Sequence, residues 1–371
     1  MTDYNMKYGI ITHYDVHNHG AVLQLTALIR VLASNGIEAK ALRFDKNYDF
    51  FGHNLKNKYD VSIKSLSIYI NYLREKGIKC TLYNYRKHRT LNKFKSELNL
   101  IGDYYSESPL LDGVIIGSDE VFALHTGPTP VFFGHCLPTE NVMSYAGCFG
   151  PTTLPDIYKL HSISFVKSGL RTMKYITVRD QNSADVVEAL TGKRPEIVVD
   201  PVLLYGFKDE IDRLTAPPIS DYLLVYAYDN RMNTPEEISA IKKYAKSMGL
   251  KTLSPGFYHS WCDYNIDVDP IKLLSYFKYA KEVVTDTFHG SVMSLITGAK
   301  FAVKTRESNH LKLSNLLKEY GLEDRIFKNW IDLSDTMSPD IDYLSVDKEI
   351  QRRRDDSMNH LHAIIALTKQ K

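Results

Sequence analysis

The sequence predicts an α/β protein of two doubly wound domains that face each other across a cleft. Short β-rich segments alternate with segments of helical periodicity, which is typical of parallel sheets covered by helices on both faces. A length of 371 residues is more than one core usually contains and is natural for two. The charged stretch 205–220, with its pair Pro217-Pro218, interrupts the alternation, which then restarts. We therefore expect two domains joined by a linker.

The elements of the first half follow from local patterns. Tyr8–Thr12 is the predicted first strand, and apolar residues then recur at helical spacing from Val22 to Ser34, where Gly36 ends the helix. Further strands are predicted where short apolar runs lie between turn residues. They are Ala39–Phe44, Gly113–Gly117, Val142–Ala146, Tyr175–Val178 and Ile197–Val199.

The second half alternates between strands and helices, as the crossovers of one parallel sheet require. The predicted strands are Leu223–Tyr226, Thr252–Ser254, Glu282–Thr285 and Phe301–Lys304. The predicted helices are Pro235–Met248, Pro270–Tyr279, Gly290–Thr297 and Lys312–Tyr320. We expect an N-terminal domain at 1–205, the linker at 206–220 and a C-terminal domain at 221–345. A final helix within 346–371 could pack back on the first domain.

Composition and charge exclude several classes of protein. A net charge of +2 argues against a nucleic-acid binder, which would carry a concentrated basic surface. No apolar run is long enough to span a bilayer, and the first residues lack a signal-peptide pattern, so we expect a cytoplasmic protein. Cys80, Cys136, Cys148 and Cys262 lack any CxxC spacing, which predicts reduced thiols and no zinc site.

The segment 56–95 differs from its surroundings because it is dense in lysine and arginine. Apolar and aromatic residues from Ile68 to Leu73 interleave with these charges. Two interpretations remain open. The segment is either a solvated helical insertion, the more common case, or a patch that meets anionic lipid head groups. The second interpretation would place the protein at the inner face of a membrane.

A buried apolar strand in the second half ends in polar residues just before a helix. This pattern places His289 and the backbone N–H groups of Gly290 and Ser291 at a helix N-terminus, where anions bind readily. A histidine there can bind phosphate when charged or move a proton when neutral. The pattern is equally compatible with a helix cap formed by Thr287 or Asp286 and a packed histidine.

Polar residues also follow two strands of the first half. Arg179 suits bidentate capture of a carboxylate or phosphate, although a salt bridge to Asp180 is equally common at such a position. Asp119 and Glu120 follow another strand. A carboxylate there could orient a sugar hydroxyl or act as its base, but a strand-ending turn with Asp119 as a helix cap is slightly more common for this tetrapeptide alone.

The first loop contains three histidines, His13, His17 and His19, together with Asp15 and Asn18. Their spacing fits no standard metal-ligand pattern, so we expect no metal. We prefer a polar loop that donates hydrogen bonds into the cleft.

Taken together and in this order, these segments resemble the polysaccharide pyruvyl transferase family. No single motif is decisive, but the ordered set, which spans roughly residues 8–327, is specific. The matching segments are His17–Gln24, Gly117–Phe122, Ser144–Gly150, Val178–Asp180, Val199–Leu204, Thr285–Gly290 and Gly321–Arg325.

The resemblance implies a GT-B-like fold with two Rossmann-like domains, the first for the acceptor and the second for the donor. It also implies transfer of pyruvate from phosphoenolpyruvate to two hydroxyls of one sugar. The sugar belongs to a bacterial surface polysaccharide or its lipid-linked precursor, and the products are a cyclic ketal and phosphate. The reaction needs no cofactor or metal. His289 matches the family's essential histidine, and Arg179 matches an arginine that holds the donor's anionic groups.

The chain departs from many relatives at Thr287, where they carry arginine, and it resembles the branch with an S/T-F-H-G pattern. The missing positive charge would have to come from another residue. Lys304, Arg306 and His310 are the candidates by position. Glu120 also differs from the residue usual in this branch, which suggests a different acceptor.

The roles implied for a pyruvyl transferase are a proton donor, a base and cations around the donor. The predicted catalytic residues are His289 and Asp119. The predicted donor-binding residues are Arg179, Thr287, His289, Gly290, Ser291, Arg306 and His310. The predicted acceptor-binding residues are His17, Asn18, Asp119 and Glu120. Two other functions remain open: a GT-B glycosyltransferase with a nucleotide-sugar donor, and a non-catalytic carbohydrate-binding subunit.

Overall fold

The computed structural model describes residues 6–45, 63–108, 110–126, 129–307 and 309–369. Within these ranges the strands form two parallel sheets, each covered by helices. The predicted basic segment 56–95 begins outside the described residues, and side chains are described there only from Gly77 onward. No helix in the described part of the chain is both long and apolar enough to cross a membrane.

The first sheet has the order β3-β2-β1-β4-β5-β6-β7. Its central strands consist of buried β-branched and apolar residues, as expected for parallel strands with helices on both faces. The strand order reverses between β1 and β4, and such a point opens a crevice for ligands at the carboxyl ends of the strands. The strands are β1 (Met6–Ile11), β2 (Ile37–Arg43), β3 (Ile101–Tyr104), β4 (Gly113–Ile116), β5 (Val142–Gly147), β6 (Tyr175–Val178) and β7 (Glu196–Ile197).

The helices of this half connect and cover the strands of the first sheet. The long helix α2 is interrupted at Gly77, whose φ of 78° is accessible to glycine at little cost. The helices are α1 (His19–Ser34), α2 (Ile63–Glu97), α3 (Leu154–Lys159), α4 (Ile163–Thr172), α5 (Gln181–Thr191), α6 (Pro201–Tyr205) and α7 (Lys208–Arg213).

The second sheet has the order β10-β9-β8-β11-β12-β13. Its strands are β8 (Tyr222–Tyr226), β9 (Lys251–Pro255), β10 (Tyr264–Ile266), β11 (Glu282–Thr285), β12 (Phe301–Lys304) and β13 (Ile326–Phe327). Its helices are α8 (Pro235–Ser247), α9 (Pro270–Lys278), α10 (Phe288–Thr297), α11 (His310–Lys318) and α12 (Leu333–Met337). A continuous apolar core joins the two halves, because α1 packs against α9 and α6 packs against α10.

The last helix, α13 (Tyr343–Lys369), returns to the first sheet. Ser357 Oγ accepts a hydrogen bond from Val199 N at 3.0 Å, and Tyr175 Oη lies 2.9 Å from His360 Nδ1. These contacts tie the end of the chain to β6 and to the segment after β7.

Three short strands and the helices α3 to α6 and α12 were not predicted from the sequence, and α7 occupies part of the predicted linker. The strands β3, β10 and β13 have two to four residues, too few for a visible periodicity. Helix α7 lies inside the predicted linker 206–220, because Phe207 and Ile211 are buried in the core while the charged residues around them face outward. The charges that suggested a linker therefore belong to the outer surface of a packed helix.

Candidate active site

Polar residues that follow strands of both sheets meet between the two halves of the molecule. Lys312 Nζ of α11 lies 3.0 Å from Glu120 Oε1, which follows β4. Asn18 Nδ2, at the start of α1, donates to Tyr228 Oη at 3.3 Å, beyond β8. The carboxyl ends of the two sheets therefore line one cleft.

The turn after β11 is built around Thr287, the N-cap residue of α10. Thr287 Oγ1 accepts the hydrogen bond of Gly290 N at 2.9 Å, and Ser291 Oγ donates to Thr287 O at 3.2 Å. A Cβ on residue 290 would overlap the Thr285 hydroxyl, so glycine is required there. Thr287, Gly290 and Ser291 thus shape the turn that carries His289. The N–H group of Gly290, which was predicted to bind the donor, donates to the Thr287 side chain of the helix cap.

His289 is buried in the cleft beside the start of α1. Its Nε2 finds no hydrogen-bond partner among the described residues and lies 3.9 Å from Asp200 Oδ2. A Cβ on Gly20 would overlap the imidazole ring, so α1 can approach His289 only through a glycine. Burial lowers the pKa of His289, although Asp200 and Asp119 act in the opposite direction. The imidazole is therefore neutral at pH 7 and has a free nitrogen that can accept a proton.

Arg179 directly follows β6, and its side chain is buried. Its guanidinium is hydrogen-bonded through one nitrogen. Its Nη1 donates to Asp200 Oδ2 at 3.0 Å, whereas Nε and Nη2 find no hydrogen-bond partner among the described residues. Its Nη2 lies 4.0 Å from Asp119 Oδ1. Burial lowers the pKa of Arg179, but the acidic neighbours Cys148, Asp200 and Asp119 raise it above its ordinary value. The guanidinium is thus charged, fixed and partly unsatisfied.

Asp200 fixes Arg179 because its own position is strongly determined. It caps α6 by accepting from Val202 N at 2.9 Å, and its other oxygen also accepts from Gln24 Nε2. Asp200 therefore connects α1, β6 and α6 at the point where the first sheet meets His289.

Lys312 extends from α11 across the cleft and was not among the sequence candidates. Its Nζ lies 4.8 Å from the centroid of the Phe288 ring, and Arg179 Cζ lies 4.3 Å from the same centroid. Two cations from the two halves of the molecule thus share one aromatic ring. Burial and Arg179 lower the pKa of Lys312, but Glu120, Cys148 and Asp119 act together in the opposite direction, and the pKa lies above its ordinary value. Lys312 lies in the first turn of the helix that follows β12, and this position could have identified it from the sequence as a candidate for the site.

Asp119 is charged throughout the physiological range. Burial raises the pKa of its carboxyl, but Arg179, His289, His13 and Lys312 outweigh this effect and lower the pKa to about 2. Glu120, beside it, has a pKa lowered by Lys312 despite its burial. Both predicted carboxylates therefore lie in the cleft as anions.

The three residues proposed by position as sources of the missing positive charge form other contacts. Arg306 donates from Nε to Asp286 Oδ2 at 2.7 Å and from Nη2 to Glu237 Oε1 at 2.7 Å. Lys304 Nζ donates to two backbone carbonyls, and His310 Nδ1 lies 3.2 Å from Ser314 Oγ. The positively charged residue that lies with Arg179 over the Phe288 ring is Lys312.

The histidines of the first loop occupy three different environments. His13 Nε2 lies 3.3 Å from Glu120 O. His17 stacks on His88 with ring centroids 3.4 Å apart, and burial together with His88 lowers its pKa to about 4. His19 is fully buried with Nε2 2.8 Å from Val268 O, and burial lowers its pKa to about 4. Within the described ranges, no three potential metal-ligating side chains come together.

A cavity of about 460 Å³ opens beside these groups. Arg179, Asp200, Phe288 and Lys312 line it, together with Glu319, which follows α11. His289 and Asp119 are not among its lining residues but lie beside Asp200 and Arg179, respectively. The volume lies within the usual range for small-molecule sites. Two fixed cations, a neutral histidine and a permanent carboxylate are suited to bind a small anion and to transfer a proton beside it.

Comparisons with known proteins bear on the family and on the fold. The sequence model of the family described as polysaccharide pyruvyl transferase matches residues 18–308. No curated protein matches the sequence at a significant level.

Several solved structures share the fold at low sequence identity. UDP-N-acetylglucosamine 2-epimerase from Rickettsia bellii has 10% identity and a TM-score of 0.54, with 98% of this chain and 97% of that chain covered. A putative UDP-N-acetylglucosamine 2-epimerase from Listeria monocytogenes has 12% identity and a TM-score of 0.52, with coverage of 99% and 98%. Arabidopsis thaliana UGT89C1 complexed with UDP-L-rhamnose has 9% identity and a TM-score of 0.51, with coverage of 99% and 100%. The predicted two-domain GT-B fold is confirmed.

Proposed function

The chain belongs to the polysaccharide pyruvyl transferase family, and we propose that it transfers pyruvate from phosphoenolpyruvate to two hydroxyls of one sugar. The acceptor is a bacterial surface polysaccharide or its lipid-linked precursor. The pair of cations on the Phe288 ring, Arg179 and Lys312, carries the donor assignment.

Phosphoenolpyruvate suits this pair because it carries a phosphate and a carboxylate on one carbon atom. Two buried nitrogens of Arg179 have no hydrogen-bond partner among the residues that the structure describes, and an unsatisfied buried donor is costly until a ligand accepts its hydrogen bond. A guanidinium fixed by Asp200 can bind a planar carboxylate or a phosphate in bidentate fashion. Lys312 adds a second charge from the opposite side of the cleft.

The chemistry requires two new C–O bonds at C2 of the donor and loss of the C2–phosphate bond. The two sugar hydroxyls release two protons: the donor's methylene takes up one and becomes a methyl group, and the departing phosphate takes up the other. We assign the proton transfer to His289, whose neutral Nε2 can take a hydroxyl proton and pass it to the methylene carbon.

Asp119 then has a supporting role that differs from the base predicted from sequence. A carboxyl with a pKa of about 2 is a weak base, but it can accept a hydrogen bond from the sugar hydroxyl. It also stabilises the imidazolium that forms when His289 is protonated, because its charge raises the histidine's pKa. Asp119 thereby orients the acceptor and His289 moves the proton.

Ligand-dependent thermal stability tests the donor. Phosphoenolpyruvate at about 100 times its dissociation constant should stabilise the folded protein by roughly 2.7 kcal/mol. Arg179→Ala should abolish this effect, whereas Arg194→Ala, at a surface arginine paired with Asp185 and Glu188, should keep it. Phosphate release in the presence of sugar acceptors then tests the transfer, and His289→Ala should abolish it.

Two outcomes would replace the proposal. Stabilisation by UDP or GDP but not by phosphoenolpyruvate would assign a nucleotide-sugar reaction to this GT-B fold. Sugar binding without phosphate release across a panel of acceptors would indicate a carbohydrate-binding subunit.

A further inference from the structure

The second part of α2, from Ile78 to Glu97, has two opposite faces. One face is buried against both halves of the molecule: Tyr83 Oη donates to Ile266 O at 2.8 Å, and Thr90 Oγ1 donates to Asp267 Oδ2 at 2.7 Å. Lys95 Nζ, on the same segment, donates to Tyr14 O at 3.2 Å. The helix therefore spans the two halves and is fixed in orientation.

The opposite face presents large apolar side chains to solvent. Ile78 is 67% exposed, Leu82 51% and Tyr85 62%. Their spacing of four and three residues places them on one stripe of the helix, directly opposite the buried Tyr83 and Lys87. Exposed apolar residues are common singly, but an aligned stripe on a rigid helix indicates a surface that is covered in use.

The charged residues of this segment from Gly77 to Ser96 are lysines and arginines, and one histidine also occurs. No aspartate or glutamate occurs between Gly77 and Ser96. Four exposed basic residues lie on or beside the stripe, and Lys93 Nζ also lies 3.6 Å from Glu97 Oε1. They are Lys79, Arg86, Arg89 and Lys93.

We propose that this face of α2, defined by Ile78, Leu82 and Tyr85 with the four flanking basic residues, docks on an anionic lipid bilayer. An apolar stripe bordered by cations matches the acyl–headgroup boundary, where the side chains insert and the charges meet lipid phosphates. The combination of an apolar and a basic signal is what stable peripheral binding requires.

Docking through this face would orient the active site toward membrane-bound acceptors. His88, on the same helix, stacks on His17 beside the start of α1, at the edge of the cleft. A lipid-linked sugar would thus reach the cleft without leaving the bilayer surface. The docking itself needs neither donor nor acceptor, so its test is independent of the proposed reaction.

Vesicle cosedimentation of the full chain tests the proposal. We expect binding to vesicles of equal parts phosphatidylcholine and phosphatidylglycerol, and little binding to phosphatidylcholine alone. The triple variant Lys79→Glu, Arg86→Glu and Arg89→Glu should lose binding. Each of the three substitutions should lower the partition coefficient roughly fivefold or more. The matched control Lys242→Glu, Lys243→Glu and Lys246→Glu makes the same charge change at exposed positions of α8 and should bind normally.

Insertion of the apolar stripe is tested separately. A Tyr85→Trp variant should show a blue shift of tryptophan emission with the anionic vesicles, and Ile78→Ser with Leu82→Ser should weaken binding by at least tenfold. Equal losses in the α2 and α8 charge variants would overturn the proposal, because they would reflect net charge alone. So would binding to a soluble polyanion that anionic vesicles do not compete away.

Discussion

Replacing Lys312 by methionine separates the two roles that the structure gives this residue. The ammonium lies 3.0 Å from Glu120 Oε1 and 4.8 Å from the centroid of the Phe288 ring. Methionine keeps the apolar stem that packs along the cleft but removes the charge. We expect the affinity for phosphoenolpyruvate to fall, because Arg179 alone would then face the donor's charge.

The size of the loss follows from the contact that disappears. A hydrogen bond to a charged partner contributes about 1.5–3 kcal/mol. At about 1.4 kcal/mol per tenfold change in affinity, the dissociation constant should rise roughly 10- to 150-fold. The free energy of unfolding should change little, because a partly exposed ion pair such as that of Lys312 with Glu120 contributes at most about 1 kcal/mol.

Titration calorimetry with phosphoenolpyruvate measures the loss, and two further variants assign it. Lys312→Arg should retain most of the affinity because it keeps the charge. Glu120→Gln removes the lysine's partner but leaves the ammonium in place, so donor binding should be unchanged or stronger. If Glu120→Gln weakened donor binding as much as Lys312→Met, the lysine would act only by holding the carboxylate and our reasoning would be refuted.

Three other substitutions test the packing around the site. Gly20→Ala should lower kcat at least tenfold with circular dichroism unchanged, because the added methyl displaces the His289 ring; normal activity would refute that contact. Thr287→Ala should lower the stability in urea by about 1 kcal/mol through loss of the helix cap, and Thr287→Ser should restore it. An equal loss in both variants would exclude the cap. His19 has a pKa of about 4 in the folded protein against about 6.5 when unfolded, so its contribution is complete above pH 6.5 and is lost as the pH falls toward 4. This loss amounts to roughly 3 kcal/mol, and a His19→Gln variant should show a shallower fall of unfolding free energy with pH over that window; an unchanged slope would assign the effect to other groups.

The sequence was sufficient to predict the fold and the strand ends that carry polar residues. The turn at His289 could be predicted because its signal is local: a buried strand, a capping residue and a glycine that opens a helix. The same holds for Arg179 at the end of β6. Local signals of this kind depend only on neighbouring residues, so one sequence suffices to read them.

Long-range contacts explain what the sequence could not show. Arg306 follows β12 as a donor ligand would, yet its guanidinium is held by Glu237, 69 residues earlier in the chain. Lys312 enters the site because α11 approaches Glu120, 192 residues away. The first contact depends on how α8 packs beside β12 within the second half, and the second depends on how the two halves face each other; no local pattern encodes either arrangement.

One carboxylate connects the two halves of the proposed mechanism. Asp200 Oδ2 accepts from Arg179 and lies 3.9 Å from His289 Nε2, so the residue that fixes the donor's cation also adjoins the proton carrier. Its charge raises the pKa of His289 against the effect of burial, and a bound anionic donor would act in the same direction. Donor binding would thus favour the protonated histidine only when the methylene that receives the proton is in place. A neutral histidine in the empty cleft and a more basic one in the loaded cleft follow from the same arrangement of charges.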